Sequence, residues 1–151
     1  MISPPMLPSS ACEAQIKTAE GLILVVRPDA GGEAIGFGHD LLPGESYPDG
    51  ITPEFAETLF QQDLAKAAAC VNAHVNVALT EGQFDALCDW VYQYGCGRLQ
   101  ESSLLRVINA GNLSAAPEQF ERWVYEEESG AEKIVEGLVT RRAQDVALWN
   151  S

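Results

Sequence analysis

Residues 16–39 read IKTAEGLILVVRPDAGGEAIGFGH, a pattern that predicts the end of a helix followed by a β-hairpin. Glu20 closes a short amphipathic helix, because the glycine that follows it is typical of the residue that terminates a helix. The apolar run 22–26 predicts a strand, and the Pro- and Gly-rich segment 27–32 predicts a turn. A second short strand follows at 34–37. We therefore expect a small β lobe directly after the first helix.

Two carboxyl groups frame the first strand of this hairpin. Glu20 precedes the strand, and Asp29 follows nine residues later in the turn. Taken singly, Glu20 resembles a solvated carboxylate at a helix end, and Asp29 an ordinary turn former. Across one strand, however, the two side chains can face the same cleft. Two carboxyl groups on either side of a bond are what glycoside hydrolysis requires, so this pair is the candidate catalytic site.

The rest of the chain predicts helices. Thr52-Pro53-Glu54 is a helix start with a Thr cap and a proline in the first turn. Helical spacing continues to about residue 74, and further helices are indicated up to about 149, interrupted by a solvated acidic loop at 126–130. The order of elements indicates an α+β fold. The predicted boundaries are a flexible lead-in over 1–11 and one domain over 12–151, with a helix at 12–20, a β lobe at about 21–51, a connecting helix at about 53–74 and a helical lobe at about 80–150.

Composition and charge restrict the possible partners. With 151 residues, 46% of them hydrophobic, the chain is long enough to bury a core. Its formal net charge of -13 argues against nucleic acid, because phosphate binding needs a basic surface. No apolar run is long enough to span a membrane, and no secretory signal is visible, although a mature form would look the same. We expect a monomer without a nucleic-acid or membrane partner.

The four cysteines, Cys12, Cys70, Cys88 and Cys96, lack the paired CxxC spacing of a zinc site. One interpretation is that they are small buried apolar side chains. The other is that they form disulfides, for which Cys70–Cys96 is a better candidate than Cys12–Cys88. No metal and no cofactor are expected.

The hairpin motif is followed by other segments in a definite order. They are 51–54 (ITPE), 62–64 (QDL), 79–87 (LTEGQFDAL), 102–106 (SSLLR) and 137–142 (GLVTRR). Together with Glu20, Asp29 and the Gly-Phe-Gly-His that ends in His39, this order resembles the phage-type lysozymes, the endolysin family of glycoside hydrolases. The resemblance covers about residues 14–149 and implies a lysozyme-like fold, with a β-hairpin lobe joined by a long helix to a mainly helical lobe.

The resemblance also implies the reaction, which is cleavage of the β-1,4 bond between N-acetylmuramic acid and N-acetylglucosamine in bacterial peptidoglycan. Such an enzyme acts on the cell wall, whether released by lysis of a host or secreted. Glu20 matches the general acid, and Asp29 the carboxylate that orients the attacking water, in a reaction expected to invert the anomeric centre. Burial of Glu20 is expected to raise its pKa.

One position departs from the family. A threonine that helps to hold the water is usual before the Ile-Gly pair, whereas this chain has Ala34 there and one residue fewer in the turn. Alanine offers no hydrogen bond, and strand alternation turns the adjacent Glu33 away. The alternative hypothesis is therefore a lysozyme-like binding protein with weak or no catalysis.

The remaining assignments also come from the resemblance. His39 is expected to pair with Asp63 on the connecting helix and thereby to gain a raised pKa. One of the last helix's two arginines, Arg141 in preference to Arg142, is expected to position Glu20. Gln93 is a candidate for reaching substrate sugars. Some secreted members of the family carry cysteines that match Cys70 and Cys96, which favours that disulfide.

Overall fold

The β lobe is a three-stranded antiparallel sheet whose strands lie side by side in chain order. The computed structural model describes residues 5–29, 31–128 and 131–151. Within it β1 is Ile23–Asp29, β2 is Gly32–Gly36 and β3 is His39–Asp40. The β1–β2 register shifts between its first and second pairs, which marks a bulge or irregularity in the hairpin. The sheet thus carries the predicted hairpin and one short additional strand.

Helix α1, Ser10–Glu20, ends at Glu20, immediately before the first strand of this lobe. The Ser9 side chain caps it by accepting a hydrogen bond from the backbone N–H of Cys12. At the other end Gly21 has φ 73° and donates its N–H to the carbonyl of Lys17, so the helix stops immediately after Glu20. Glu20 is therefore fixed at the junction of the first helix and the first strand.

Helix α2, Pro53–His74, connects the two lobes. Thr52 accepts from the N–H of Phe55, and the proline occupies the first turn, as the sequence indicates. Leu59, Phe60 and Val71 are among its buried residues, and the helix packs on helix α3, Glu81–Tyr94. At 22 residues, this helix is long enough to run from the sheet into the helical lobe.

The helical lobe surrounds α3, Glu81–Tyr94, whose middle is buried on all sides. Helices α1, α2 and α7 pack against it, with α7 spanning Glu136–Trp149. The other helices of the described chain are shorter: α4 Cys96–Glu101, α5 Ser103–Asn109 and α6 Ala116–Glu121. A capping box between Thr80 and Gln83 begins α3, as the sequence predicts. The predicted α+β class is confirmed.

The predicted acidic loop at 126–130 was wrong over its described part. Residues Tyr125–Glu128 form β4, which pairs antiparallel with β5, Ala131–Ile134, while residues 129 and 130 lie outside the described part. The backbone hydrogen bond from Val135 to Val124 extends this ladder. Main-chain pairing does not require apolar side chains, and this is why the acidic run misled the sequence interpretation.

The lead-in is shorter and better held than expected. Met6 donates its N–H to Asn72 Oδ1 and accepts from Asn72 Nδ2, both at 3.0 Å. Ser9 donates through its backbone N–H and its hydroxyl to Asp85, and α1 already begins at Ser10. The first four residues of the predicted lead-in lie outside the described part of the chain.

Two of the four cysteines form a disulfide, and the other two are free thiols. A disulfide joins Cys70 on α2 to Cys96, the first residue of α4. Cys12 and Cys88 are free and fully buried, so the weaker pairing did not form. Burial raises the pKa of both thiols, and so keeps them protonated. In the described residues, no helix combines the length and the apolar character needed to cross a membrane.

Candidate active site

Glu20 projects inward from the end of α1 and has a side chain that is only 19% exposed. Its Oε2 accepts a hydrogen bond of 2.8 Å from Nη1 of Arg141 on α7. On the opposite side lies the turn between β2 and β3, where Gly38 approaches the carboxyl group. A Cβ at position 38 would come within 2.8 Å of Glu20 Cδ, so only glycine leaves space for this carboxyl group.

The surroundings of Glu20 alter its acidity in opposing directions. Burial raises its pKa, whereas the charge and hydrogen bond of Arg141 lower it. The negative charges of Asp89 and Asp29 add to the upward shift. The pKa of Glu20 is therefore raised above its usual value, so the group keeps its proton to a higher pH than an exposed glutamate does.

Asp29 ends β1 and is exposed at the tip of the hairpin. The register pairs Asp29 with Gly32, Arg27 with Ala34, and Ala34 with Asp40. Paired residues share a face of a sheet, as do residues two apart on one strand, so Asp29 and Asp40 lie on the same face as Ala34. A side-chain hydrogen bond joins the two carboxyl groups. Partial burial, together with the charge and hydrogen bond of Asp29, raises the pKa of Asp40.

Arg141 is held in place by a cluster of buried polar side chains on α3 and α7. Its Nε and Nη2 donate to Asp89 on α3, with the Nη2–Oδ1 distance at 2.8 Å. Asp89 also hydrogen bonds to Asp145, and Nη2 of Arg142 lies 3.6 Å from Asp89 Oδ2. The hydrogen bond from Asp145 and the two arginines outweigh burial and lower the pKa of Asp89. Burial and the contact with Asp89 raise the pKa of Asp145 well above its usual value, although Arg142 Nε lies 3.0 Å from Asp145 Oδ2.

The two arginines share Asp89 but otherwise have different partners. Arg141 reaches Glu20, whereas Arg142 is buried and donates from Nη2 to Gln93 Oε1 at 2.7 Å. A contact between Gln93 and substrate sugars stays a prediction, since its amide oxygen is already engaged. Sequence reasoning missed Asp89 and Asp145. The available signal was an aspartate within the apolar stretch of α3 together with a pair of adjacent arginines on α7.

His39 lies between two carboxylates at the base of the sheet. Its Nδ1 is 2.7 Å from Asp63 Oδ2, and its Nε2 is 2.9 Å from Glu45 Oε1. Burial opposes the charged form of His39, but the two carboxylates outweigh it and raise the pKa of His39. Burial also opposes the charged form of Glu45, but hydrogen bonds from the Leu42 amide, Tyr47 and His39 lower the pKa of Glu45 to about 2. The sequence motif indicated Asp63 but not Glu45.

Replacing His39 by asparagine is expected to destabilise the protein in a pH-dependent way. Because the pKa of His39 is raised on folding, its contribution is complete below the unfolded value of about 6.5 and disappears as pH rises through the folded value. The loss in unfolding free energy should be about 2 kcal/mol near pH 5.5 and smaller near pH 9. Thermal unfolding at both pH values measures it, and an equal loss at both would contradict the ion pair.

Gly38→Ala is expected to displace the Glu20 carboxyl group. The substitution also strains the backbone, because Gly38 has φ +71°, at a cost of about 1–2 kcal/mol. Gly44→Ala is the matched control: Gly44 has φ +90° but has no atom within 4 Å of an added Cβ. Both variants should show a similar fall in thermal midpoint, whereas only Gly38→Ala should lose catalytic rate. Equal rates in the two variants would show that the close approach at Gly38 does not matter.

A large groove lies elsewhere on the protein. It has a volume of about 1170 Å³ and runs between the lead-in, the second half of α2 and residues 75–79. Its lining is mostly apolar and includes neither Glu20 nor Asp29. Glu20, which lies beside Arg141 and Gly38, and Asp29 on the hairpin therefore define the candidate active site, rather than this groove.

Comparison with known proteins adds independent information. The family model described as Phage lysozyme matches residues 17–145. The chain is 34% identical to an endolysin of Acyrthosiphon pisum secondary endosymbiont phage 1 over 137 residues, which cover 90% of this chain and 92% of that protein. It is 38% identical to an endolysin of Bacillus phage PZA over 142 residues, but spans only 52% of that protein's length.

Two solved structures superimpose closely. The muramidase domain of SpmX from Asticaccaulis excentricus matches with a TM-score of 0.85 and 30% identity, covering 95% of this chain and 97% of that one. An endolysin from Escherichia coli O157:H7 phage FAHEc1 also matches with a TM-score of 0.85 and 30% identity, covering 98% and 96% respectively. The likeness therefore extends over both lobes.

Proposed function

This chain belongs to the phage lysozyme family of glycoside hydrolases, and from that premise we propose how its own residues cleave the β-1,4 bond between N-acetylmuramic acid and N-acetylglucosamine in bacterial peptidoglycan. The observation that best supports this proposal is the carboxyl group of Glu20, which is buried, has a raised pKa and is fixed between Arg141 and Gly38. Neither the family match nor the relatives favour a binding protein without catalysis.

Glu20 acts as the general acid. Its proton passes to the glycosidic oxygen as the bond from that oxygen to the anomeric carbon breaks, so the departing sugar leaves as a neutral alcohol. Burial raises the pKa of Glu20, so this proton is retained to a higher pH than on an exposed glutamate. The hydrogen bond from Arg141 holds the carboxyl group in one orientation and moderates its pKa, so Arg141 is a positioning residue.

Asp29 acts from the hairpin on the other side of the bond. It orients a water molecule toward the anomeric carbon, accepts a proton as the new carbon–oxygen bond forms, and stabilises positive charge at that carbon. Direct attack by water inverts the anomeric centre. The product freshly released from a β-linked substrate should therefore be the α-anomer.

Product analysis tests this function directly. Purified peptidoglycan digested by the protein should yield fragments whose new reducing ends are all N-acetylmuramic acid, as shown by borohydride reduction and mass spectrometry. Reducing ends on N-acetylglucosamine, or cleavage of the peptide, would contradict the proposal. Binding to the wall without any new reducing end would instead support the non-catalytic alternative.

Asp40 takes the place of the absent threonine in this proposal. It pairs with Ala34 across β2 and β3 and hydrogen bonds to Asp29, so its carboxyl group offers the polar contact that Ala34 lacks. We assign Asp40 as a positioning residue for Asp29 and its water. In this proposal the absence of the threonine does not prevent catalysis.

The Asp40→Ala variant should have a kcat about tenfold lower with little change in KM, because one hydrogen bond of about 1.4 kcal/mol is lost from the Asp29 side of the reaction. Asp40→Asn keeps a hydrogen-bonding group and should recover most of this rate. Asp49→Ala, in the exposed loop after β3, is the control and should behave as wild type. No rescue by asparagine, or a change in KM alone, would contradict the role.

Action on the cell wall follows from the family. Three expectations from the sequence stay predictions. They are that the protein is a monomer, that it has no nucleic-acid or membrane partner, and that it is released by host lysis or secreted.

A further inference from the structure

Three side chains with metal-binding atoms meet where α2 ends against α4. They are Cys70, His74 and Cys96, and their potential ligand atoms all lie within 4.8 Å of one another. Cys70 and His74 are four residues apart on α2, so both side chains lie on one face of the helix. Cys96 is contributed by the first turn of α4. The spacing of the cysteines along the chain does not indicate this cluster, because Cys96 meets Cys70 and His74 only in the folded chain.

The ligand types fit a particular class of metal. Two thiolates and an imidazole are the ligands that Zn²⁺ takes in tetrahedral protein sites, with one position left for water. In this structure the two sulfur atoms form a disulfide, so they become ligands only after reduction. The Cα–Cα separation of Cys70 and Cys96 is 5.8 Å, which keeps both thiols close after the bond opens.

The position of the cluster allows a reductant and an ion to reach it. Cys96 and His74 are half-buried, and Cys70 is 6% exposed at the end of the helix. Asn109 donates to the backbone carbonyl of His74 at 2.9 Å, which anchors the last residue of α2 without engaging its imidazole. Cys12 and Cys88, in contrast, are completely buried among core residues.

We propose that the reduced protein binds Zn²⁺ through Cys70, His74 and Cys96. A dithiol or phosphine reductant first supplies two electrons to the disulfide, which becomes two thiols by taking up two protons, while the reductant is oxidised. Zn²⁺ then replaces the two thiol protons and accepts the imidazole nitrogen. The link between α2 and α4 is thereby kept in both redox states, as a covalent bond in one and as a metal site in the other.

Zn²⁺ is expected to stabilise the reduced protein, because it binds the folded chain and not the unfolded chain. The free energy of unfolding of the reduced protein should rise with the concentration of free Zn²⁺, because the unfolded chain does not hold the three ligands together. The oxidised protein should show no such dependence. This difference between redox states separates a site at the disulfide from weak binding of metal to surface carboxylates.

Co²⁺ titration of the reduced protein tests the proposal, since tetrahedral Co²⁺ with thiolate ligands has strong visible and charge-transfer absorption. The reduced wild type should show both bands with one ion bound, and added Zn²⁺ should remove them. The oxidised protein should show neither. His74→Gln should weaken binding by about tenfold or more. Cys12→Ala/Cys88→Ala, the control for the other two thiols, should bind as wild type.

Thermal unfolding of the same samples gives a second readout. Zn²⁺ should raise the midpoint of the reduced wild type, and raise it less in reduced His74→Gln. The proposal is overturned if the reduced protein lacks the Co²⁺ bands, if His74→Gln binds as tightly as wild type, or if the oxidised protein binds equally well. Failure of the reduced chain to fold even with the metal present would overturn it as well.

Discussion

Glu20→Gln should lower the rate of cell-wall clearing by about 10²–10⁴-fold, the contribution usual for a general acid. Glutamine has nearly the same shape and keeps an oxygen that can accept the hydrogen bond from Arg141. It has no acidic proton to give to the glycosidic oxygen. The variant therefore separates proton donation from the positioning that Arg141 and Gly38 provide.

Stability should not fall with activity in this variant. The pKa of Glu20 is raised because burial disfavours its ionised form, so a neutral amide removes an unfavourable charge above the carboxyl pKa. The thermal midpoint near neutral pH should be equal to that of wild type or higher. Loss of clearing together with a lower thermal midpoint would contradict this expectation.

The measurement is the fall in turbidity of a wall suspension over about pH 4–8, a range that spans the ordinary carboxyl and imidazole pKa values. Wild-type activity should decline on the alkaline side as Glu20 loses its proton, at a pH above the ordinary glutamate pKa. Glu121→Gln, an exposed residue at the end of α6, is the control. Equal clearing by Glu20→Gln and wild type would remove Glu20 from the mechanism.

Local sequence signals predicted most of the helices correctly because their ends are determined by nearby residues. Thr52 and Thr80 cap α2 and α3 as expected, and Gly21 ends α1 next to Glu20. The hairpin β4–β5 was missed because its first strand, Tyr125–Glu128, is mostly acidic, whereas backbone pairing requires no apolar side chain. The contact of Met6 was missed for a different reason, since its partner Asn72 lies 66 residues away in the sequence.

Some residues of the candidate site could likewise be predicted from the sequence, and others could not. The spacing of Glu20 and Asp29 around one strand was visible in the sequence, because hairpin geometry relates the two positions. Asp40 was not, since its position opposite Ala34 depends on the register of β3. Asp89 was missed for another reason: a buried carboxylate is stable only beside its cationic partners, which come from a helix 52 residues further along the chain.

Arg141→Met should destabilise the protein by about 3–5 kcal/mol, because it leaves Asp89 and Glu20 without the cation that they share. Asp89 is fully buried, and its remaining cation, Arg142, is 3.6 Å away. The pKa of Asp89 is lowered on folding, so its contribution to stability is present above its unfolded value and is lost as pH falls through the folded value. The deficit of the variant should therefore be largest near neutral pH and should shrink in acid.

Two measurements separate this effect from a general loss of packing. Urea unfolding at several pH values should show the pH-dependent deficit, whereas Arg122→Met, which removes an exposed arginine paired with Glu118, should lose less than about 1 kcal/mol. In the part of the variant that stays folded, the alkaline limb of the rate profile should move to higher pH, because Arg141 lowers the pKa of Glu20 in the wild type. A pH-independent deficit with an unchanged rate profile would mean that Arg141 only fills space between α3 and α7, and that Glu20 reaches its orientation without it.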